Sequence, residues 1–220
     1  MSGVVDFPVK PEARPYLEAF GRGDFIRDRR EPDWLVGYRK ASLARFAELG
    51  FPSRRSEAWR YIDLRPLEQR PMLPARSPKR ASVRSSVRAG LAEISLAEPT
   101  HRVVLVDGRF SPELAALDRL PSGVWLGSTA AAIAERPELL RSRLETPPLD
   151  PARPFSSLNA AFFVDGFVLD IAPGVAMERP FEILHLASGD TDASLHTRSV
   201  VVAGEGSRAA VIETFSGAGA

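Results

Sequence analysis

Apolar residues change their spacing along the chain, and the change predicts two kinds of secondary structure. In residues 31–50 they recur every three or four positions, which is the period of a helix with one buried face. Asp33 is the predicted N-cap of this helix, and Gly50 is the residue expected to end it. A second, short helix is predicted after Ser53. Residues 1–68 are therefore predicted to form an N-terminal helical region.

Residues 100–146 are predicted to form a small α/β element. The apolar run His101–Val106 has the length of a strand and ends in the turn dipeptide Asp-Gly. A helix is expected to start at Ser111, because proline and glutamate follow it. A second short strand leads to Ser128 or Thr129, one of which is expected to cap an alanine-rich helix.

From about residue 155 the apolar runs shorten to strand length and alternate with glycine, proline and aspartate turns. The predicted strands are Phe162–Val164, Phe167–Ile171, Phe181–Leu186, Arg198–Ala203 and Ala209–Phe215. No helical periodicity separates them, so residues 155–220 are predicted to be an all-β module. The period alone fits an antiparallel sandwich and a parallel β-helix equally well, and both alternatives stay open.

The formal net charge of +1 conceals an uneven distribution of charge. Residues 1–150 carry a net charge of +5, whereas residues 151–220 carry −4. The change falls at the proline-rich stretch TPPLDPARP, which is predicted to be an extended connector between two domains. Because the total charge is balanced, it gives no reason to expect a nucleic-acid or membrane partner.

The 220-residue chain has no cysteine, which excludes disulfides, thiolate nucleophiles and thiolate-held metals or clusters in this chain. The N-terminus lacks the apolar core of a signal peptide. No apolar run approaches the roughly 20 residues that a membrane-spanning helix needs. We therefore expect a soluble, cytoplasmic protein.

Residues 69–99 are predicted to form a basic linker. Within them, residues 70–90 hold six basic side chains and no acidic one, and they are rich in serine and proline. Such a stretch suits electrostatic binding to phosphate. It lacks the aromatic residues on which single-strand binders stack bases, so a solvated linker is favoured over a nucleic-acid contact.

The candidates for catalysis are few. His185 lies inside an apolar strand and is interpreted as a packed strand histidine. A metal site with Glu182, Asp190 and Asp192 is the alternative, but their spacing matches no known ligand pattern. We therefore assign no catalytic, cofactor-binding or metal-binding residue.

Paired carboxylates would allow a second function, that of a β-helix carbohydrate-active enzyme. The candidates in the acidic third zone are Asp165, Asp170, Glu178, Glu182, Asp190 and Asp192. Aspartate is common in turns for structural reasons, and this interpretation is favoured. The residues taken alone therefore indicate a scaffold or interaction protein.

Three stretches in the right order resemble the SufD family of the SUF (SufBCD) iron–sulfur cluster assembly system. They are residues 31–67, which contain FPSRRSEAWRYIDL, residues 103–117 and residues 155–188. The first stretch matches the family signature at Arg54, Arg55, Glu57, Trp59, Arg60 and Tyr61. We interpret these residues as structural, with a buried Arg–Glu pair beside two aromatic rings that fixes a helix to the end of a solenoid.

The resemblance implies a mixed α and β fold in which the helical region and the small α/β element lead into a right-handed parallel β-helix. It implies a non-catalytic scaffold that acts with SufB-like and SufC-like subunits, and a homodimer through the β-helix is the alternative pairing. ATP hydrolysis belongs to SufC, so this chain alone is expected to bind no cofactor, while the assembled complex handles Fe–S clusters and ATP. Because family members continue further, we expect a truncated solenoid, with only its first rungs in residues 155–220.

Overall fold

The computed structural model describes residues 8–26, 30–75, 85–97, 99–117, 120–144, 150–188 and 193–217. The chain divides into two compact units. The first takes its described residues from Met1–Ser77 and Arg141–Phe163, and the second takes them from Pro78–Leu140 and Val164–Ala220. Each unit therefore combines segments that are distant in the sequence.

Helices dominate the first unit and strands the second. In the described part of the chain the α-helices are α1 (Arg14–Arg22), α2 (Asp33–Leu49), α3 (Arg65–Gln69), α4 (Ser85–Ile94), α5 (Thr129–Glu135), α6 (Pro137–Leu144) and α7 (Pro154–Phe162). The strands are β1 (His101–Val106), β2 (Arg109–Phe110), β3 (Val124–Ser128), β4 (Phe167–Ile171), β5 (Phe181–Ala187), β6 (Val200–Ala203) and β7 (Val211–Gly217). Short 3-10 helices cover Pro11–Ala13 and Glu57–Trp59. None of the helices described is both long enough and apolar enough to cross a membrane.

The ends of α2 follow the sequence prediction with one shift. Gly50 ends the helix with a φ of +69°, a conformation that glycine adopts without strain. The predicted N-cap, Asp33, is instead the first helical residue, and Pro32 holds the extended cap position. The carbonyl of Pro32 accepts the N–H of Leu35 at 2.9 Å, so the cap position lies one residue earlier than predicted.

An aromatic cluster holds the first unit together. Tyr16 of α1 meets Phe46 of α2 edge-to-face at 5.5 Å between ring centroids, and Phe25 meets Phe162 of α7 at 5.0 Å. Such pairs contribute about 0.5–1.5 kcal/mol each beyond their buried area. The prediction of a strand over residues 162–164 is therefore wrong. Pro154 opens a helix that ends at Phe162 and packs its buried face on α2, and Phe163 and Val164 belong to no strand.

A buried charge joins α2 to α7. The side chain of Arg39 is 1% exposed, and its Nε and Nη2 atoms each donate to Glu31 at 2.8 Å. Its Nη1 donates to the carbonyl of Ala161 at 2.9 Å. The guanidinium lies 4.2 Å from the centroid of the Phe163 ring. This one side chain therefore connects segments that are distant in the sequence.

The second unit contains two sheets, ordered β2-β1-β5-β7 and β3-β4-β6. The β1–β5, β5–β7 and β4–β6 pairs are parallel, and the β1–β2 and β3–β4 pairs are antiparallel. Val168 of β4 pairs with Val200 of β6, and Phe181 of β5 pairs with Val211 of β7. The number of residues between the two members of a pair is nearly the same in both cases. Because β4 pairs with β6 and β5 with β7 in parallel, an antiparallel sandwich does not account for the described part of residues 164–217.

The two sheets face each other across one apolar core. The core takes buried side chains from β1, β4 and β5, which are Val103, Leu105, Phe167, Leu169, Ile171, Phe181 and Ile183. Alternation along β5 directs its remaining apolar residues to the opposite face. There Leu184 and Leu186 join Val104 in a second cluster. Strands β1 and β5 are thus buried on both faces.

Helix α4 covers this second face and corrects the predicted linker. Leu91 and Ile94 pack against the cluster around Val104 and Leu184, so residues 85–94 form a helix where a solvated linker was predicted. The reason is the i, i+3 spacing of two apolar residues beside an apolar sheet face. Residues 76–84, which carry most of the predicted basic charge, lie outside the described residues.

The local signals in residues 100–146 were partly correct. Ser128 caps α5 as predicted, because its Oγ accepts the N–H of Ala131 at 2.9 Å. The predicted helix at Ser111 is only a single turn, closed by the N–H of Leu114. The chain then pairs back on β1, and this tertiary pairing at Ala116 prevents the helix from continuing.

Glycine allows two successive turns of the chain to approach closely. Gly166 has a φ of +155°, and a Cβ at this position would overlap the carbonyl of Arg198. The same carbonyl accepts the hydroxyl of Thr129 at 2.7 Å, and the N–H of Arg198 donates to the backbone carbonyl of Asp165 at 2.9 Å. No other residue type fits at position 166 without moving this backbone.

Candidate interaction surface

The family-signature residues lie in a series of turns between α2 and α3. The N–H of Ser56 donates to the backbone carbonyl of Ser53 at 2.9 Å, that of Trp59 to the carbonyl of Ser56 at 3.0 Å, and that of Ile62 to the carbonyl of Trp59 at 3.0 Å. The 3-10 helix Glu57–Trp59 forms the middle of the series. Consecutive turns of this kind fix the backbone and direct most of the side chains outward.

Trp59 anchors these turns to the first unit. Its indole Nε1 donates to the carbonyl of Ala152 at 3.0 Å, and its ring meets Phe155 edge-to-face at 5.4 Å. Phe155 in turn contacts Phe51 at 5.1 Å between centroids. The tryptophan therefore ties the turns to the segment around Ala152 and Phe155.

A buried Arg–Glu pair was predicted from Arg55 and Glu57, but both side chains are exposed. Glu57 pairs with Arg60 instead, at the surface. Arg60 donates to both oxygens of Glu57, at 3.0 and 3.1 Å, but the two side chains are 48% and 84% exposed. The guanidinium lies 4.7 Å from the ring centroid of Tyr61, which is 83% exposed. The expectation fails because Trp59 alone turns its ring toward the aromatic cluster. Exposed pairs of this kind contribute at most about 1 kcal/mol.

Three further side chains complete an exposed patch. Arg54 and Arg55 are exposed, and Arg54 Nε reaches the carbonyl of Arg60 at 3.4 Å. Ile62 is 44% exposed beside Tyr61. We call the patch formed by Arg54, Arg55, Arg60, Tyr61 and Ile62 the Tyr61 surface. The sequence interpretation missed Ile62, although two adjacent apolar residues in a turn-rich stretch were a signal for it.

A second ion pair lies just beyond the Tyr61 surface. Arg65 donates to Asp63 through Nη2 at 2.6 Å and through Nε at 2.9 Å. These side-chain bonds, together with the Arg65 backbone N–H, lower the pKa of Asp63 to about 2. Residues 53–65 contain four arginines and two carboxylates, so the segment carries a net charge of +2.

Glu182, a candidate for metal binding and for glycoside chemistry, has a structural role. It is fully buried and accepts from the N–H of Leu96 at 2.6 Å, from Arg102 Nε at 2.6 Å and from the Thr100 hydroxyl at 3.0 Å. Burial alone would raise the pKa of Glu182, but these donors outweigh it and hold the pKa below its ordinary value. Its carboxylate therefore joins the segment before β1 to β5.

His185 cannot share a metal ion with Glu182, because the two residues point to opposite faces of β5. Its Nε2 lies 3.0 Å from Glu213 Oε1, and its ring stacks on Phe215 with centroids 4.2 Å apart. This packed environment agrees with the interpretation as a strand histidine. Asp190 and Asp192, the other proposed ligands, lie outside the described residues.

Two further carboxylates of the acidic third zone have structural partners. Asp165 accepts from the N–H of Phe110 at 3.0 Å and from the N–H of Ala130 at 3.1 Å. Asp170 pairs with Arg136 at 3.1 Å. Glu178 is exposed in a turn. Because the buried carboxylates already accept protein donors, nothing in their geometry favours the carbohydrate-active alternative.

The second unit contains a cavity of about 380 Å³ beside β5 and β7. His185, Leu195, Thr197 and Phe215 contribute to its lining. His196 lies close by in sequence, and burial lowers its pKa to about 4. Within the described ranges, no three histidine or acidic side chains are grouped so that they could hold a metal ion.

The described residues thus define a mixed α/β protein with a helical unit, a unit of two mixed sheets and an exposed arginine–tyrosine surface. Residues 11–183 match the SufBD protein N-terminal region family, and the chain belongs to this family. An iron–sulfur cluster assembly SufBD family protein of Synechocystis sp. is 27% identical to it over 188 residues. That alignment covers 84% of this chain and 40% of the relative, so the chain spans well under half of the relative's length. The resemblance inferred from the three stretches is confirmed.

Proposed function

We propose that this chain is the N-terminal portion of a SufD-like scaffold subunit that takes part in SUF iron–sulfur cluster assembly without catalysis of its own. The observation that carries the proposal is the family match over residues 11–183. The Synechocystis relative, whose name includes iron–sulfur cluster assembly, supports the same role. The structural use of Asp165 and Glu182 fits a scaffold better than a hydrolase.

The scaffold would act with SufB-like and SufC-like subunits. In this arrangement the SufC-like subunit hydrolyses ATP and the SufB-like subunit supplies the sulfur-accepting cysteine. The absence of cysteine from residues 1–220 agrees with this division of labour. Iron–sulfur clusters are then cargo of the assembled complex, and a homodimer through the strands of the second unit is the alternative pairing.

We also propose that the second unit begins a right-handed parallel β-helix. The nearly equal lengths of chain between Val168 and Val200 and between Phe181 and Val211 support it, as does a core shared by both sheets. The turns repeat as well, since Ala176 bridges to Arg208 in parallel at the same spacing as the first of these pairs. The exposed apolar residues of β6 and β7 would be covered by a further coil; they are Val201, Val211 and Phe215, at 50%, 39% and 71% exposure.

Affinity purification from the native cells tests the role. The tagged protein should bring down a SufB-like and a SufC-like subunit, and a tagged SufC-like subunit should bring it down in return. If neither purification recovers the expected subunits from cells that express all three, the scaffold role is refuted. Calorimetry provides a second test, because residues 1–220 should bind the SufC-like ATPase weakly. Tight binding would show that residues 1–220 are sufficient for recognition of the SufC-like ATPase and that segments outside them are not needed.

An experimental structure of the chain tests the β-helix. We expect a right-handed coil in which β6 follows β4 and β7 follows β5 with the pairing described above. A left-handed coil, or antiparallel pairing of β6 or β7, would contradict the proposal.

A further inference from the structure

The Tyr61 surface exposes side chains that do little for the fold. Tyr61 is 83% exposed and Ile62 is 44% exposed, so neither is needed to fill the core of the first unit. Isolated apolar residues are common on protein surfaces and need no explanation. Here a tyrosine and an isoleucine are adjacent and are bordered by Arg54 and Arg60. Tyrosine and arginine are the residue types that dominate binding energy at protein interfaces.

The surface is also held in place before any partner binds. Trp59 fixes the turns through its bond to the carbonyl of Ala152 and its contact with Phe155. Arg60 is held at Glu57 by two hydrogen bonds and lies over the Tyr61 ring. A surface that is ordered in advance loses little conformational entropy when it binds, so its contacts contribute more fully to affinity.

The charge of the surface defines the partner. Within residues 53–65, Arg60 neutralises Glu57 and Arg65 neutralises Asp63. The net charge of +2 therefore corresponds to Arg54 and Arg55, whose side chains are exposed. Two arginines beside an apolar pair complement carboxylates beside an aliphatic or aromatic side chain.

A protein partner fits this surface better than a nucleic acid. Because Glu57 and Asp63 each pair with an arginine, the net charge of residues 53–65 leaves only two arginines to neutralise phosphates, and electrostatic binding to nucleic acid grows with the number of phosphates neutralised. Ile62 offers an apolar contact that a base edge uses poorly. A polypeptide segment that mixes acidic and apolar residues satisfies both parts of the surface.

We propose that the Tyr61 surface is a protein-binding site that receives an acidic, partly apolar segment of a partner protein. In this site the Tyr61 ring and Ile62 contact the apolar side chain, and Arg54 and Arg55 bind the carboxylates. Trp59 is a positioning residue that keeps the turns in the geometry the partner meets.

Photo-crosslinking in the native cells tests the proposal with the full-length protein. The photoreactive residue p-benzoylphenylalanine replaces Tyr61, and as a control it replaces the exposed Lys40 of α2. The crosslinked peptide is then sequenced by mass spectrometry. We expect a protein crosslink at position 61 that exceeds the Lys40 control and joins a segment rich in aspartate and glutamate.

Charge variants supply the second half of the test. In the Arg54→Glu/Arg55→Glu variant, the crosslink yield at position 61 should fall by about fivefold or more, whereas Arg54→Lys/Arg55→Lys should keep most of it. Because both side chains are exposed, circular dichroism and the thermal midpoint should not change. A crosslink no stronger than the control, a basic or neutral peptide, a nucleic-acid adduct, or an unchanged yield after charge reversal would each overturn the proposal.

Discussion

Replacing Arg39 by methionine tests how the first unit is held together. The change keeps much of the apolar stem and removes the guanidinium, so the Glu31 carboxylate, with 3% of its side chain exposed, loses two donors at 2.8 Å. The carbonyl of Ala161 loses a third donor at 2.9 Å. Breaking a buried ion pair from one side costs about 3–5 kcal/mol. We therefore expect Arg39→Met to lower the free energy of unfolding of this unit by about 4 kcal/mol.

The double variant distinguishes an unpaired charge from a simple loss of packing. Arg39→Met/Glu31→Met removes both charges and leaves the Ala161 carbonyl without its Arg39 donor. Apolar replacement of a buried pair is close to neutral, and an unsatisfied carbonyl costs about 1–2 kcal/mol. The double variant should therefore be more stable than Arg39→Met alone, by about 2 kcal/mol. Arg45→Met, which removes a pair with the half-exposed Glu48, is the control and should cost less than about 1 kcal/mol.

Urea unfolding measured by tryptophan fluorescence is the assay. Trp34 and Trp59 lie in the first unit and Trp125 in the second, so a Trp125→Phe background isolates the signal of the first unit. If the double variant loses as much stability as the two single variants together, the unpaired-charge argument is refuted. A loss below about 1 kcal/mol for Arg39→Met would refute the role of the pair altogether.

Three further changes probe the second unit, each followed by chemical unfolding. Glu182→Gln should cost about 2 kcal/mol at neutral pH, because three donors meet a neutral amide. Because the pKa of Glu182 is lowered, its carboxylate stabilises the fold at neutral pH and loses this effect as the pH falls through that pKa. If the stability of Glu182→Gln and that of the unchanged protein depend on pH in the same way, the argument is contradicted. For His196, whose pKa is lowered from 6.5 to about 4, stability should fall by about 3 kcal/mol as the pH drops between these values, and His196→Gln should remove this dependence. Gly166→Ala should cost more than about 3 kcal/mol because its Cβ meets the Arg198 carbonyl, and a cost below about 1 kcal/mol would contradict the close approach.

Strands and caps with strong local signals could be predicted from the sequence. His101–Val106 is a strand with the predicted bounds, because it is an apolar run that ends in a turn dipeptide. Ser128 caps α5 because its hydroxyl accepts a local N–H, which needs no tertiary contact. These elements depend on neighbours within a few residues, and their signals are therefore visible in the chain.

Elements that depend on distant partners could not be predicted in this way. Phenylalanine has a high strand propensity, but Phe162 is helical because α7 packs against α2. Residues 85–94 resemble a linker until the apolar face of β5 is present for Leu91 and Ile94 to cover. Arg39 carried no signal at all, because burial of its charge depends on Glu31 and on the carbonyl of Ala161, which lies far along the chain.

The family-signature residues also show that burial could not be predicted from the sequence. Its residue types identified the family, but Arg55 and Glu57, from which a buried pair was predicted, are both exposed. A sequence motif names the side chains and their order. It does not say which of them face the core, because that depends on where Trp59 finds its partner at Ala152.

The pairing of β1 with β5 has a consequence for synthesis of the chain. His101 pairs with Phe181, so the ribosome must make everything between them before β1 meets its partner strand. At roughly 5–20 residues per second, β1 therefore spends on the order of several seconds without β5. During this interval β2 and α4 are the neighbours already available to its edge and to one of its faces. Strand β7 follows β5 after a much shorter stretch of chain, so its partner strand has already been synthesised when β7 emerges. Translation speed through residues 107–180 should therefore affect the yield of folded protein more than speed through the residues that follow.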